Sequence, residues 1–358
     1  MNGFLDKIKT HHEQNLPFVV YCKPNSDTVM GMFQQNDILY NTIDFTEKGF
    51  VFASFDGSQT HLIPENQSET IGVVWDKIEV AVSEREYEIS NGFSQKIFEL
   101  LVSKGIQAIE NNEFKKVVIS RKETIELGDF DLASTFAKLV QLYPATFVYC
   151  FYHPKVGIWL GATPEQLLKA NVNVFETMAL AGTQKDNGVT EIVWEKKEQE
   201  EQQYVTDYIV EKLQEVALEV SVTKPYSVKA GNIWHLKTDI WGVLNTGFTL
   251  KQVVNLLHPT PAVCGLPKEE SKAFILENEN YDRTFYTGFL GELNSSFAID
   301  AVSSDLFVNL RCMQIEVDSE LAMTKANLYM GCGITKDSIP EKEWEESVNK
   351  SMTMKRVL

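Results

Sequence analysis

Phe18-Val-Val-Tyr-Cys22 is an unbroken run of apolar and aromatic residues that stops at the turn formers Pro24-Asn-Ser-Asp27. Phe50-Val-Phe-Ala-Ser-Phe55 repeats the pattern and stops at Asp56-Gly57. Short runs of this kind between turn clusters read as strands of a β-meander. Further on, Ile97, Leu100, Leu101, Ile106 and Ile109 recur at near-helical spacing and predict a helix over about 93–111, after which Lys116-Val-Val-Ile119 begins a strand. Helices are expected over 131–142, 191–219, 250–257, 268–278 and 340–356, and strands over 146–152, 158–160, 287–293, 306–317 and 326–329. There is no internal repeat and no linker rich in Gly, Ser or Pro. Many strands with helices scattered among them, and no regular βαβ alternation, point to the α+β class over a doubly wound sheet.

The 358 residues include 50 acidic and 33 basic side chains, a net charge of −17. Such a balance argues against a general nucleic-acid binder, which needs clustered positive charge. With 44% hydrophobic residues, 20 Gly and 11 Pro, the chain can bury a large core and is neither fibrous nor low in complexity. The length allows one to three domains. Five scattered cysteines without a C-x-x-C pair suggest reduced core thiols, not a disulfide framework or a zinc site. Met1 to Asn15 shows no signal-peptide pattern, and no run approaches the ~18 apolar residues of a membrane helix, so the expected location is cytoplasmic, away from membranes.

Two acidic segments lie far apart. Glu195 to Gln203 holds no apolar residue, and Glu198 and Glu201, three apart, share one face of a helix; Glu343 and Glu346 repeat the spacing, with Lys350 one turn on. If these helices face each other, their carboxylates repel, and a divalent cation with all-oxygen ligation of the kind Mg²⁺ prefers relieves the repulsion. Read singly, each is more often a solvated helix face. In Gly161-Ala-Thr-Pro-Glu165, Thr163 suits an N-cap and Pro164 the first helical position, which puts Glu165 in the first turn of a helix. There it complements the helix dipole or serves as an acid. The dipole favours the ionised form, so an acid there needs burial or a nearby anion to keep its proton.

Gly182, at the end of Thr177-Met-Ala-Leu-Ala-Gly-Thr183, and the glycines of Gly331-Cys-Gly333 allow backbone N–H groups to approach an anion, or mark plain turns. Ser338-Ile-Pro-Glu341 has capping-box spacing and is expected to start the last helix. Lys116, at the mouth of a buried strand, is a solvated strand end or a desolvated base. Arg311, in Phe307-Val-Asn-Leu-Arg-Cys312, either faces solvent or reaches into a cavity where its fork matches a carboxylate.

In order along the chain, these pieces resemble the chorismate-utilising enzymes, and among them the isochorismate synthases, relatives of salicylate synthase and anthranilate synthase component I. The matching segments are Lys116-Val-Val-Ile-Ser-Arg121, Gly161-Ala-Thr-Pro-Glu165, Ala179-Leu-Ala-Gly-Thr183, Trp234-His-Leu236, Leu257-His-Pro-Thr-Pro-Ala-Val263, Asp282-Arg-Thr-Phe-Tyr-Thr-Gly288, Leu310-Arg311, Gly331-Cys-Gly-Ile334 and Glu343-Trp-Glu-Glu346 with Lys350. The resemblance implies a single α+β domain of two large packed β-sheets with helices outside, residues 1–90 being its β-rich start and 91–358 the chorismate-binding core. It implies that Lys116 activates water for attack on ring carbon C2 of chorismate, while Glu165 protonates the departing C4 hydroxyl. Mg²⁺ would be held by Glu201 and Glu346 with Glu198 and Glu343 beside them. Gly182, Thr183, His235, Tyr286, Arg311, Gly331 and Lys350 would contact the substrate. Because chorismate is a dianion and the chain is acidic, its binding must rest on local cations. Substrate charge would then also help keep Glu165 protonated.

Three positions depart from the family pattern: Cys332 where alanine is frequent, Glu201-Gln202 where Glu-His is common, and Ser347 where threonine is common. Salicylate synthases go on to expel pyruvate from isochorismate. The aminating relatives take ammonia from a glutaminase partner and usually carry glutamine at the position of Lys116, so the lysine favours water and no obligate protein partner. An acidic protein that merely binds a divalent cation needs neither Lys116 nor Glu165. Isochorismate would serve menaquinone or catechol siderophore synthesis alike.

Overall fold

Phe18–Cys22 lacks polar alternation because both faces of the strand are buried. Phe18, Val20 and Cys22 pack on the helical layer outside the sheet, whereas Val19 and Tyr21 point to the layer between two sheets. Phe50–Phe52 does the same from the opposing sheet, with Phe50 and Phe52 facing the middle and Val51 the outer helices. In this computed structural model the described residues are 2–76, 92–186, 192–230, 233–295, 303–318 and 323–358.

Among them, two antiparallel sheets hold the fold. The first has nine strands in the order Gly265–Leu266, Lys116–Leu127, Met323–Ile334, Cys312–Asp318, Gly157–Thr163, Phe147–His153, Phe18–Cys22, Thr28–Gln34 and Ser68–Val74. The second runs Ala217–Val222, Ile233–Leu244, Val174–Lys185, Gln166–Asn171, Ser303–Val308, Phe289–Leu293, Gly49–Ala53, Thr60–Pro64 and Tyr40–Asn41, with Tyr226–Ala230 also paired to Ile233–Leu244. Aromatic pairs lock the sheets together. Phe147 stacks on Phe307 with centroids 4.2 Å apart, and Phe52 on Phe151 at 4.4 Å. Each such pair adds about 0.5–1.5 kcal/mol to the area it buries. Helices Asn2–Glu13 and Leu132–Leu142 cover the first sheet, Lys196–Gln214 and Leu250–Leu257 cover the second, and Gly92–Glu110, Lys268–Asn278 and Pro340–Lys355 cluster around the Lys116 strand. No helix among the described residues is long and apolar enough to cross a membrane.

The expected α+β architecture of two packed sheets is what the chain adopts, with several local differences. The run 306–317 is not one strand. It is two strands in different sheets, joined by a corner at Asn309-Leu310-Arg311, where Arg311 has φ +47°. Thr163-Pro164-Glu165 starts no helix; it is a second corner, carrying Gly157–Thr163 into Gln166–Asn171 of the other sheet. The corners are tied side by side: Thr163 Oγ1 donates to the Val308 carbonyl at 2.6 Å, the Val308 N–H to Glu165 O at 2.9 Å, and the Ala162 N–H to Arg311 O at 3.0 Å. These bonds satisfy the backbone in extended form, so a helical first turn has nothing to gain.

The helix expected over 191–219 spans Lys196–Gln214, and 217–222 is a strand. The final helix starts at Pro340 without a side-chain cap, because the Ser338 hydroxyl accepts from the Thr335 N–H instead. Gly331 and Gly333 lie within a long strand, not at a turn. The expected boundary at 90/91 falls outside the described residues.

Arg283 anchors the Lys116 strand. It donates to the carbonyls of Val118 at 2.7 Å and Val263 at 2.9 Å and grips Glu279 through two nitrogens, while Glu279 Oε1 accepts from the Ser120 N–H and hydroxyl at 2.7 Å each. Both side chains of the pair are almost fully buried. Removing one charge leaves the other stranded, so Arg283→Met should lower the unfolding free energy by about 3–5 kcal/mol in urea titrations. An unchanged midpoint would contradict this reading.

Candidate active site

The two corners each deliver one functional side chain to the same cavity. Glu165, on the first, is 3% exposed, and burial pushes its carboxyl up to about 8, against the pull of Lys116 and Lys350. Because no helix begins there, the expected conflict with a helix dipole does not arise, and burial alone holds the proton. Arg311, on the second corner, is buried, and its Nη2 lies 3.2 Å from His235 Nε2. His235 Nδ1 sits 3.1 Å from the Gly182 carbonyl, which only accepts. Burial, with Arg311 and Lys350 adding to it, pushes this imidazole down to about 3. The ring is therefore neutral with its proton on Nδ1, leaving Nε2 to accept from Arg311.

Lys116 opens the Lys116–Leu127 strand and is fully buried. Its Nζ lies 3.2 Å from Glu201 Oε1 without making a hydrogen bond to it. Gly333 makes this approach possible, since a Cβ there would collide with the Glu201 carboxylate. Gly182 plays a related part on the Val174–Lys185 strand. It has φ +72° at a bulge in the pairing, and a Cβ would lie 3.1 Å from Glu198 Cβ, so the glycine lets the start of the Lys196–Gln214 helix settle against the strand.

That helix and the final one face each other across an acidic gap. Glu343 Oε1 receives Lys197 Nζ at 2.5 Å, and Glu346 Oε1 receives Lys350 Nζ at 2.6 Å, Lys350 also donating to the Gly331 carbonyl at 2.8 Å. Burial and Glu346 raise the Glu343 carboxyl against the pull of Lys197; burial also acts on Glu346, but Lys350 and Lys197 outweigh it and hold that group below its ordinary value. Two oxygens stay unanswered: Glu198 Oε2 and Glu343 Oε2 are buried without a hydrogen-bond partner. Cys332 Sγ and one carboxylate oxygen each from Glu343 and Glu346 lie within 4.8 Å of one another. Orphaned carboxylate oxygens between converging acids are what a divalent cation would satisfy, so the residues fit one.

Glu165, Gly182, Thr183, Glu201, His235, Tyr286, Arg311, Gly331 and Lys350 all line one cavity of about 60 Å³. Glu198, Glu343 and Glu346 line an adjoining one of about 700 Å³, with Thr183 shared between the two. Sequence reasoning missed Lys197, although it lies four residues before Glu201 and so on the same helix face. It also missed that Cys332 faces the acids.

The family model for chorismate binding enzymes matches residues 59–358. The chain belongs to that family. It is 29% identical over 270 residues to isochorismate synthase MenF of Pasteurella multocida, covering 72% of this chain and 60% of the relative, so it spans less than two thirds of that protein's length. Isochorismate synthase EntC of Escherichia coli is 29% identical over 275 residues, covering 74% of this chain and 67% of EntC. Anthranilate synthase component 1 of Aeropyrum pernix is 28% identical over 279 residues, covering 74% of this chain and 60% of that relative. The structure of the menaquinone-specific isochorismate synthase MenF from Escherichia coli superposes with a TM-score of 0.78 at 22% identity, covering 96% of this chain and 88% of that one, which establishes the shared fold of these chorismate-binding enzymes.

The folded chain keeps a proton on Glu165 between the ordinary carboxyl value of 4.5 and about 8, where an unfolded chain has lost it. Stability from this group is therefore full below 4.5 and disappears as pH rises through 8. Glu165→Gln carries no charge to bury, so its melting temperature relative to the native chain should climb from pH 5 to pH 9. A flat or falling difference would contradict the assignment.

Proposed function

We propose that this chain is an isochorismate synthase that converts chorismate to isochorismate with Mg²⁺ as cofactor. The observation that carries the reading is a buried carboxyl held protonated in a cavity shared with Arg311 and Lys350, with a fully buried lysine amine near enough to act on it and 3.2 Å from Glu201 without a hydrogen bond. Lys116 Nζ takes a proton from water as the oxygen bonds to C2 of the ring. The ring double bonds shift, the bond from C4 to its hydroxyl breaks, and Glu165 gives its proton to the leaving oxygen. One water enters and one leaves, and the proton gained by Lys116 returns to Glu165 between turnovers. Each transfer is typically worth ~10²–10⁴ in rate.

Arg311 and Lys350 bring fixed positive charge to the cavity, and both suit the carboxylates of a dianion. His235, neutral, orients the Arg311 guanidinium. The backbone at Gly182 and Gly331, with Thr183 and Tyr286, shapes the remaining wall. Glu343, Glu346, Glu198 and Glu201 would hold Mg²⁺, which when bound supplies positive charge for a substrate carboxylate. Lysine at position 116, where aminating relatives usually carry glutamine, supports water as the nucleophile.

Purified protein given chorismate and Mg²⁺ should yield isochorismate by proton NMR. Lys116→Gln and Glu165→Gln should each lower kcat by at least about 10²-fold, with unchanged far-ultraviolet circular dichroism. Full activity in either variant would overturn the roles. Salicylate with pyruvate as the product, or turnover only with ammonia, would overturn the reaction.

A further inference from the structure

The acidic gap contains a sulfur that the proposed chemistry does not use. Cys332 is fully buried on the Met323–Ile334 strand, and its thiol donates to the Glu343 carbonyl at 3.2 Å. Its Sγ and single oxygens of Glu343 and Glu346 fall within 4.8 Å of one another, a cluster that includes none of the other four cysteines. Glu343 is 1% exposed, and its Oε2 has no hydrogen-bond partner although it lies among charged groups. Both glutamates line the cavity of about 700 Å³, which exposed Lys336, Asp337 and Glu345 carry out to the surface, so an ion has a path to the two carboxylates, beside which the Cys332 sulfur lies.

We propose that this gap is a mixed sulfur–oxygen site in which Cys332, Glu343 and Glu346 bind a thiophilic divalent cation of the Zn²⁺ class. Mg²⁺ is a hard ion that takes oxygen ligands and gains nothing from a sulfur, whereas Zn²⁺ and Co²⁺ accept thiolate together with carboxylate. Three protein ligands leave a fourth position for water, as in zinc sites that keep an open coordination place. On binding, the Cys332 S–H bond breaks, the proton goes to solvent, and a sulfur–metal bond forms with no change of oxidation state. The cation also takes over the charge partnership that Lys197 provides to Glu343. Where Mg²⁺ serves the reaction, Zn²⁺ occupies two of the same carboxylates and competes with it; that consequence rests on the proposed function, whereas the site itself does not.

The test is a titration of the full chain with Co²⁺, followed by absorbance. A near-ultraviolet sulfur-to-cobalt charge-transfer band that Zn²⁺ displaces is the expected result. Cys332→Ala should lose the band and at least tenfold in Zn²⁺ affinity, measured against a chromogenic chelator, with Mg²⁺ affinity by calorimetry within about twofold of native. Cys264→Ala should keep the band. Glu343→Gln, which retains the sulfur, should also weaken Zn²⁺ at least tenfold. No band in the native chain, or a band that survives Cys332→Ala, overturns the proposal, and the native measurement decides this even if a variant fails to fold. A chain that shows the band but leaves chorismate unchanged keeps this site and loses the enzymatic reading; the reverse result does the opposite.

Discussion

A carboxyl group placed where two neighbouring strands change sheets side by side must either find a cation at bonding distance or keep its proton. Glu165 sits at such a corner, 3% exposed, with Lys116 and Lys350 near enough to pull on it and too few to ionise it at neutral pH. The corners exist because Thr163, Glu165, Val308 and Arg311 exchange hydrogen bonds across them. The same exchange sets Arg311 in a left-handed conformation that turns the chain between sheets. Fold and acid are thus one feature: the bend that closes the sandwich is also the bend that dehydrates the carboxyl.

The net charge of −17 is no obstacle to an anionic substrate, because the site carries its own cations. Lys197, Lys350 and Arg311 each face a specific group: Glu343, Glu346 and the His235 ring. A buried pair of this type is costly to break from one side only. The arrangement therefore fixes the register of two helices that meet only through the fold. It also leaves Glu198 Oε2 and Glu343 Oε2 without partners, which is where a divalent ion would gain most.

Much of this was legible in residues whose signal is local. Phe18–Cys22 and Gly49–Ala53 read as strands because burial on both faces leaves a continuous apolar run. The spacing of Glu198 with Glu201, and of Glu343 with Glu346, placed each pair on one helix face. What failed depended on distant partners. Asn309-Leu310-Arg311 carries no Gly or Pro, so nothing local announces that the apolar run there divides between two sheets. Thr163-Pro164 looks like a helix start until the Val308 carbonyl, far along the chain, claims the threonine hydroxyl. Cys332 meets Glu343 only because the last helix packs over its strand, whereas Ser338 is diverted locally, by the Thr335 N–H three residues before it.

The claim on which the rest depends is that Glu165 is a neutral acid in the folded chain, and infrared difference spectroscopy of native protein against Glu165→Gln tests it directly. A protonated-carboxyl stretch present at neutral pH, absent in the variant and fading with a midpoint near pH 8, is what the account predicts. An ionised-carboxylate signature for Glu165 already at pH 6, with no protonated band to remove, would contradict it.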